Sequence, residues 1–100
     1  MLYAIIPEDT PGTLEQRISN RAAHLARLDA LQSQGRLILA GPCPAIDSPT
    51  PGPAGFSGSL IVAEFGSLAE AEAWAQGDPY VSGGVYRAVI VKPFVQVYPR

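Results

Sequence analysis

His24 is the only histidine and Cys43 the only cysteine among the 100 residues. A lone histidine can do acid–base work when a second group fixes its tautomer and aims the ring. Arg17, Arg21, His24 and Leu28 follow a helical spacing, which sets them in one stripe on the edge of an apolar face. His24 then reads in two ways: as a helix histidine that packs or bonds to backbone, or as a general base between core and water. Asp78 is its candidate partner. It follows Gly77, where a second helix ends, and precedes Pro79. It serves there either as turn chemistry, bonding its own backbone, or as the carboxylate that orients His24. Cys43, between Pro42 and Pro44, has no local base or positive field to activate it and reads as an inert thiol. One His and one Cys fall short of the three or four ligands of a zinc site. No glycine-rich phosphate turn opens a helix, since Ser82-Gly83-Gly84 is too short. The expectation is therefore no metal and no cofactor. Tyrosines 3, 80, 86 and 98 read as core or interface residues; Tyr80, beside Asp78, also reads as a wall of the site.

These side chains need elements to carry them. Leu2 to Ile6 alternates like a strand and is expected to stop at Pro7. Thr13 is placed to cap a long helix ending near Gln34, with Gly35 in its C-terminal turn. Leu14, Ile18, Ala22, Leu25 and Leu28 form its expected apolar face. Leu37–Ala40 reads as a second strand. Pro42 to Ser57 holds prolines 42, 44, 49, 51 and 53, each without a backbone donor, and reads either as a surface excursion stiffened by proline or as a functional loop, in which case it is expected at the rim of the cleft. Gly58 to Phe65 is a third strand. Ser67-Leu68-Ala69-Glu70 matches a capping box opening a second helix, which carries Leu68, Ala71, Trp74 and Ala75 on one face. Val85 to Val91 is a fourth strand, interrupted at Pro93, with Phe94–Tyr98 a further extended segment.

The order is βαββαβ, which predicts an α+β, ferredoxin-like fold: one antiparallel sheet with both helices on one face. Leu60-Ile61-Val62-Ala63 and Ala88-Val89-Ile90-Val91 leave no clean polar face, so both faces call for a cover. With no further helix available, a second copy of the sheet is the expected cover, and hence a homodimer. One hundred residues suit a single domain spanning 1–100. Nearly half are hydrophobic, against disorder, and the net charge is −2 with scattered basic residues. That balance argues against a nucleic-acid partner. No apolar run nears the roughly 20 residues of a membrane span. The N-terminus lacks a basic lead segment, so a cytoplasmic location is expected.

Several motifs, in order and with matching spacing from Met1 to about Val97, carry a likeness. They are Arg21-Ala22-Ala23-His24-Leu25, Gly35–Pro42, Gly55–Ser59, Ala73-Trp74-Ala75, Asp78-Pro79-Tyr80-Val81 and Val91-Lys92-Pro93-Phe94. In these the chain resembles the YciI-like (YCII-related) family. The resemblance implies a dimeric α+β barrel and a His–Asp pair in a cleft, matching His24 and Asp78, with Arg21 just before the histidine. Arg21, Tyr80, Gly41, Pro42 and Ser59 are the candidate contacts to a small-molecule ligand. The family supplies no settled substrate. Lyases acting on chlorinated ring-cleavage products and muconolactone isomerases share the superfamily or fold, which is analogy of fold only. Two classes of function stay open. One is a cofactor-independent acid–base enzyme performing elimination, isomerisation or hydrolysis on a small anionic metabolite. The other is a non-catalytic dimeric binding or accessory protein.

Overall fold

The computed structural model describes all residues, Met1–Arg100. Strands β1 (Leu2–Asp9), β2 (Leu37–Pro44), β3 (Phe56–Glu64) and β4 (Tyr86–Phe94) alternate with helices α1 (Leu14–Ser33), α2 (Leu68–Gln76) and the short α3 (Pro79–Ser82). They form one four-stranded sheet in the order β2-β3-β1-β4, and every pairing is antiparallel. This is the ferredoxin-like βαββαβ arrangement.

Alternate residues of a strand share a face, and register decides which. Tyr3 and Ile5 lie opposite Ala63 and Ile61, and Ile5 also opposite Val91. Together with Leu31 of α1 and Ala71 and Ala75 of α2, these residues build the main core. On the other face, Ile6 pairs with Ile90 and Leu39 with Val62. There Ile6, Leu39, Leu60, Ile90 and Phe94 are 38–53% exposed, so this apolar face has no cover within the chain.

Proline does not end the strands where the sequence pattern placed the stops. β1 continues past Pro7 to Asp9, although its ladder with β3 skips Ile6 and Pro7. β2 runs to Pro44, and Pro42 pairs with Ser59 and Cys43 with Gly58. β4 carries Pro93 opposite Tyr3. β2 and β4 are the edge strands, where a residue without N–H can turn its bare side away from the ladder. The true loop is therefore shorter than expected. Beyond Gly41 and Pro42, which border the cleft, its later part lies elsewhere, with Pro53 and Gly55 beside the start of α1.

The capping motifs fall close to expectation. The Ser67 hydroxyl accepts from Glu70 N–H at 3.1 Å, while the Glu70 carboxylate reaches one residue further back, to Gly66 N–H at 3.0 Å. Thr13 precedes α1 but makes no side-chain cap; its hydroxyl donates to Thr10 O. The buried face of α1 also differs. Ile18 is 66% exposed, whereas Arg17, His24 and Leu31 are buried. The helix is turned by about one residue because two polar side chains on this face find partners in the sheet and in α3.

A candidate acid–base cleft

His24 sits in the middle of α1, with its ring pressed between elements. Its Nδ1 lies 2.9 Å from both Oδ1 and Oδ2 of Asp78. Ionised, a carboxylate only accepts, so Nδ1 carries the proton and, in the neutral ring, Nε2 is the bare basic nitrogen. Nε2 has no partner in the chain, and Arg27 Nη1 is the one buried side-chain atom left unpartnered. Nε2 therefore meets open space, in the cleft that His24 helps to line. Tyr80 stacks on the imidazole with centroids 4.0 Å apart and planes 7° from parallel, and Tyr86 meets it edge-on at 6.4 Å. The ring can neither flip nor tilt without losing these contacts.

Asp78 is held just as firmly. It is 2% exposed and caps α3, accepting from Tyr80 N–H at 2.9 Å. Asp78 makes two contacts at once: a backbone cap through Oδ1 and a contact to His24 through both oxygens. Pro79 suits the first helical position because it has no N–H to satisfy. Behind the carboxylate, Arg27 Nη1 stands 4.0 Å from Oδ2, its Nη2 donates to Trp74 O at 2.7 Å and its guanidinium covers the Trp74 ring at 4.4 Å. Burial lowers the Arg27 guanidinium below its usual pKa, partly opposed by the Asp78 charge.

A second buried polar cluster lies along the same cleft. Arg17 grips Asp9 through Nε (2.5 Å) and Nη2 (3.0 Å), and Nη2 also reaches Gly58 O and Ser59 Oγ at 3.0 Å. The Tyr86 hydroxyl donates to Ser59 Oγ at 2.8 Å. Burial alone would lower the Arg17 pKa, but the hydrogen bond and charge of Asp9 outweigh it and the guanidinium is raised. Burial raises both tyrosine phenols above their ordinary value, Tyr86 well beyond Tyr80. Both are neutral at physiological pH.

The cleft has a volume of about 240 Å³, room for a single ring or a short chain. It opens between α1 and the β2–β3 edge. Arg21, His24, Tyr80, Gly41, Pro42 and Ser59 all border it, and Asp78 stands directly behind His24. Arg21 is exposed and makes no ion pair within the chain, so its charge is free to meet an anion. Sequence reasoning missed Asp9, Arg27 and Tyr86, and it took Arg17 as only a member of a stripe. Arg17 and His24 are seven positions apart, two helical turns, and that spacing was the available signal. For Asp9, beyond the strand end expected at Pro7, there was none.

A model of the YCII-related domain matches residues 1–95. The chain belongs to that family. Two relatives called Protein YciI, from Escherichia coli and Shigella flexneri, are each 57% identical over 98 residues, covering 98% of this chain and all of theirs. Among solved structures, the 5-chloro-2-hydroxyhydroquinone dehydrochlorinase of Burkholderia phenoliruptrix, in complex with 2,5-dihydroxybenzoquinone, superposes with a TM-score of 0.83. It is 33% identical, and the match covers 95% of this chain and 94% of that one. The YCII-related fold thus hosts a small-molecule enzyme in at least that neighbour. No helix here is long and apolar enough to cross a membrane, and no three His, Cys, Asp or Glu side chains gather as a metal group would.

Proposed function

We propose that this YCII-related protein is a cofactor-independent acid–base enzyme acting on a small anionic carbonyl compound. The observation that carries the reading is the His24–Asp78 contact at 2.9 Å, which leaves Nε2 bare in a cleft. In this reading Nε2 takes a proton from a carbon next to a carbonyl. The C–H electron pair becomes the enolate double bond, and charge moves to the carbonyl oxygen. The enolate then expels a leaving group such as chloride, completing an elimination, or takes the proton back at another carbon, completing an isomerisation. Asp78 holds the tautomer and stabilises the imidazolium that forms. Arg21 binds a carboxylate or phenolate of the substrate at the mouth of the cleft, and Gly41 and Pro42 form its opposite wall.

The dehydrochlorinase neighbour supports elimination within this class and offers a probe, 2,5-dihydroxybenzoquinone. We also read the protein as a homodimer joined through its open sheet face, supported by the exposed Ile6, Leu60 and Ile90 there. The test is turnover of a panel of chlorinated hydroxyquinols and unsaturated or halogenated carboxylic acids. His24→Gln should lower kcat by about 10²–10⁴-fold on any compound the wild type converts. Equal rates for the two proteins would refute the assignment.

A further inference from the structure

Hydrogen-bond accounting at Ser59 leaves one proton unassigned. Its Oγ has two acceptor positions and one proton to give. Arg17 Nη2, which can only donate, fills one position at 3.0 Å, and the Tyr86 hydroxyl fills the other at 2.8 Å. The Ser59 proton must then go to a third group, and the chain offers no acceptor for it. Reversing the Tyr86–Ser59 bond would only move the unplaced proton to the Tyr86 hydroxyl. Ser59 borders the cleft and Tyr86 does not, so the proton is presented to the cleft from Ser59.

The arrangement is rigid. Asp9, Arg17, Ser59 and Tyr86 are between 3% and 7% exposed. Arg17 is locked to Asp9 on its far side and packs over Phe56 at 5.0 Å. Tyr86 meets the Tyr80 ring edge-on at 5.4 Å and also touches the His24 ring. One side chain therefore braces both the imidazole and the serine hydroxyl.

We propose that Ser59 is a donor of fixed direction for the oxygen of a small enolisable carbonyl ligand, and that Arg17 and Tyr86 are positioning residues that set that direction. The inference rests on the reading of His24 as the base. As Nε2 removes the carbon-bound proton, the carbonyl π pair moves onto oxygen, and the Ser59 O–H meets the charge developing there. A donor already aimed at such a site needs no reorganisation during the reaction. The positive Arg17 behind the serine strengthens its donation.

The test uses 2,5-dihydroxybenzoquinone as probe, with affinity measured by calorimetry at pH 7. Ser59→Ala should weaken binding about tenfold or more, while Ser59→Thr, which keeps the hydroxyl, should retain most of it. Tyr86→Phe should also weaken binding, although it touches no ligand; a purely structural role would lower the melting temperature and leave affinity unchanged. In a crystal soaked with the probe, a probe oxygen should lie about 2.7–3.1 Å from Ser59 Oγ. Wild-type affinity in Ser59→Ala, unchanged affinity in Tyr86→Phe, or no binding by the wild type would each overturn the proposal. His24→Gln separates the two claims: it should bind the probe but not turn over substrate. If it turns over normally, the base reading fails while the Ser59 contrast still stands.

Discussion

A carboxylate that accepts from both a backbone amide and an imidazole, as Asp78 does, fixes two things at once: the start of α3 and the tautomer of His24. Asp78 is 2% exposed, its carboxylate in contact with His24 and with Arg27 Nη1 at 4.0 Å behind it. The two tyrosines beside it, Tyr80 and Tyr86, are buried as well. Their phenols are raised above the ordinary value of about 10, primarily by desolvation. Below pH 10 both are protonated in the folded and the unfolded chain, and stability is indifferent to their titration. Above pH 10 the unfolded chain loses these protons first, so stability should fall as pH rises. Urea unfolding at pH 8 and pH 11 should show that fall, and Tyr86→Phe, which removes the larger contribution, should make it shallower. An equal fall in the variant would contradict the assigned burial of Tyr86.

At the scale of elements, β3 passes close against the β1 backbone at Gly58. A Cβ built there would stand 2.3 Å from Pro7 O, a backbone atom that cannot swing aside. Gly58→Ala should therefore cost roughly 1–3 kcal/mol of stability, and it should disturb the Ser59 hydroxyl next to it. Thermal unfolding checks the first effect; a variant as stable as the wild type would mean that the strands part easily at this point. The order of the elements was legible in the sequence because each strand is a short apolar run between turn residues. The strand ends were not. Pro7, Pro42 and Pro93 look like stops, yet edge positions and a skipped ladder step accommodate them. The places of His24 and Asp78 on two helices allowed their pairing without requiring it, and the family resemblance implied it. The Asp9–Arg17–Ser59–Tyr86 cluster was not, because it joins four separate elements across up to 77 positions and no local pattern announces a buried arginine. The expected apolar face of α1 failed for the same reason: hydrophobicity counts Arg17 and His24 as solvent-facing, and here they are core.

At the scale of the whole molecule, the uncovered sheet face has the larger consequence. Ile6, Ile90, Leu60 and Phe94 lie on one surface of a chain whose radius of gyration is 13.4 Å. Contiguous apolar area of this kind marks an interaction surface on most soluble proteins. Light scattering at micromolar concentration should give twice the chain mass of 10.5 kDa. Ile90→Asp, which places a charge on that face, should give the monomer. A wild type that scatters as a monomer would remove the dimer from the account and leave the acid–base cleft, built entirely within one chain, untouched.

If the acid–base reading holds, Nδ1 of His24 belongs to Asp78 and Nε2 to the ligand. Because the chain has a single histidine, its imidazole nitrogens can be followed by nitrogen NMR without ambiguity. The free protein should carry a proton on Nδ1, and the Nε2 resonance should shift strongly when 2,5-dihydroxybenzoquinone is added, with Asp78→Asn disrupting the first signal. A proton resident on Nε2 with Nδ1 bare, or an Nε2 resonance that the bound probe leaves unmoved, would contradict it.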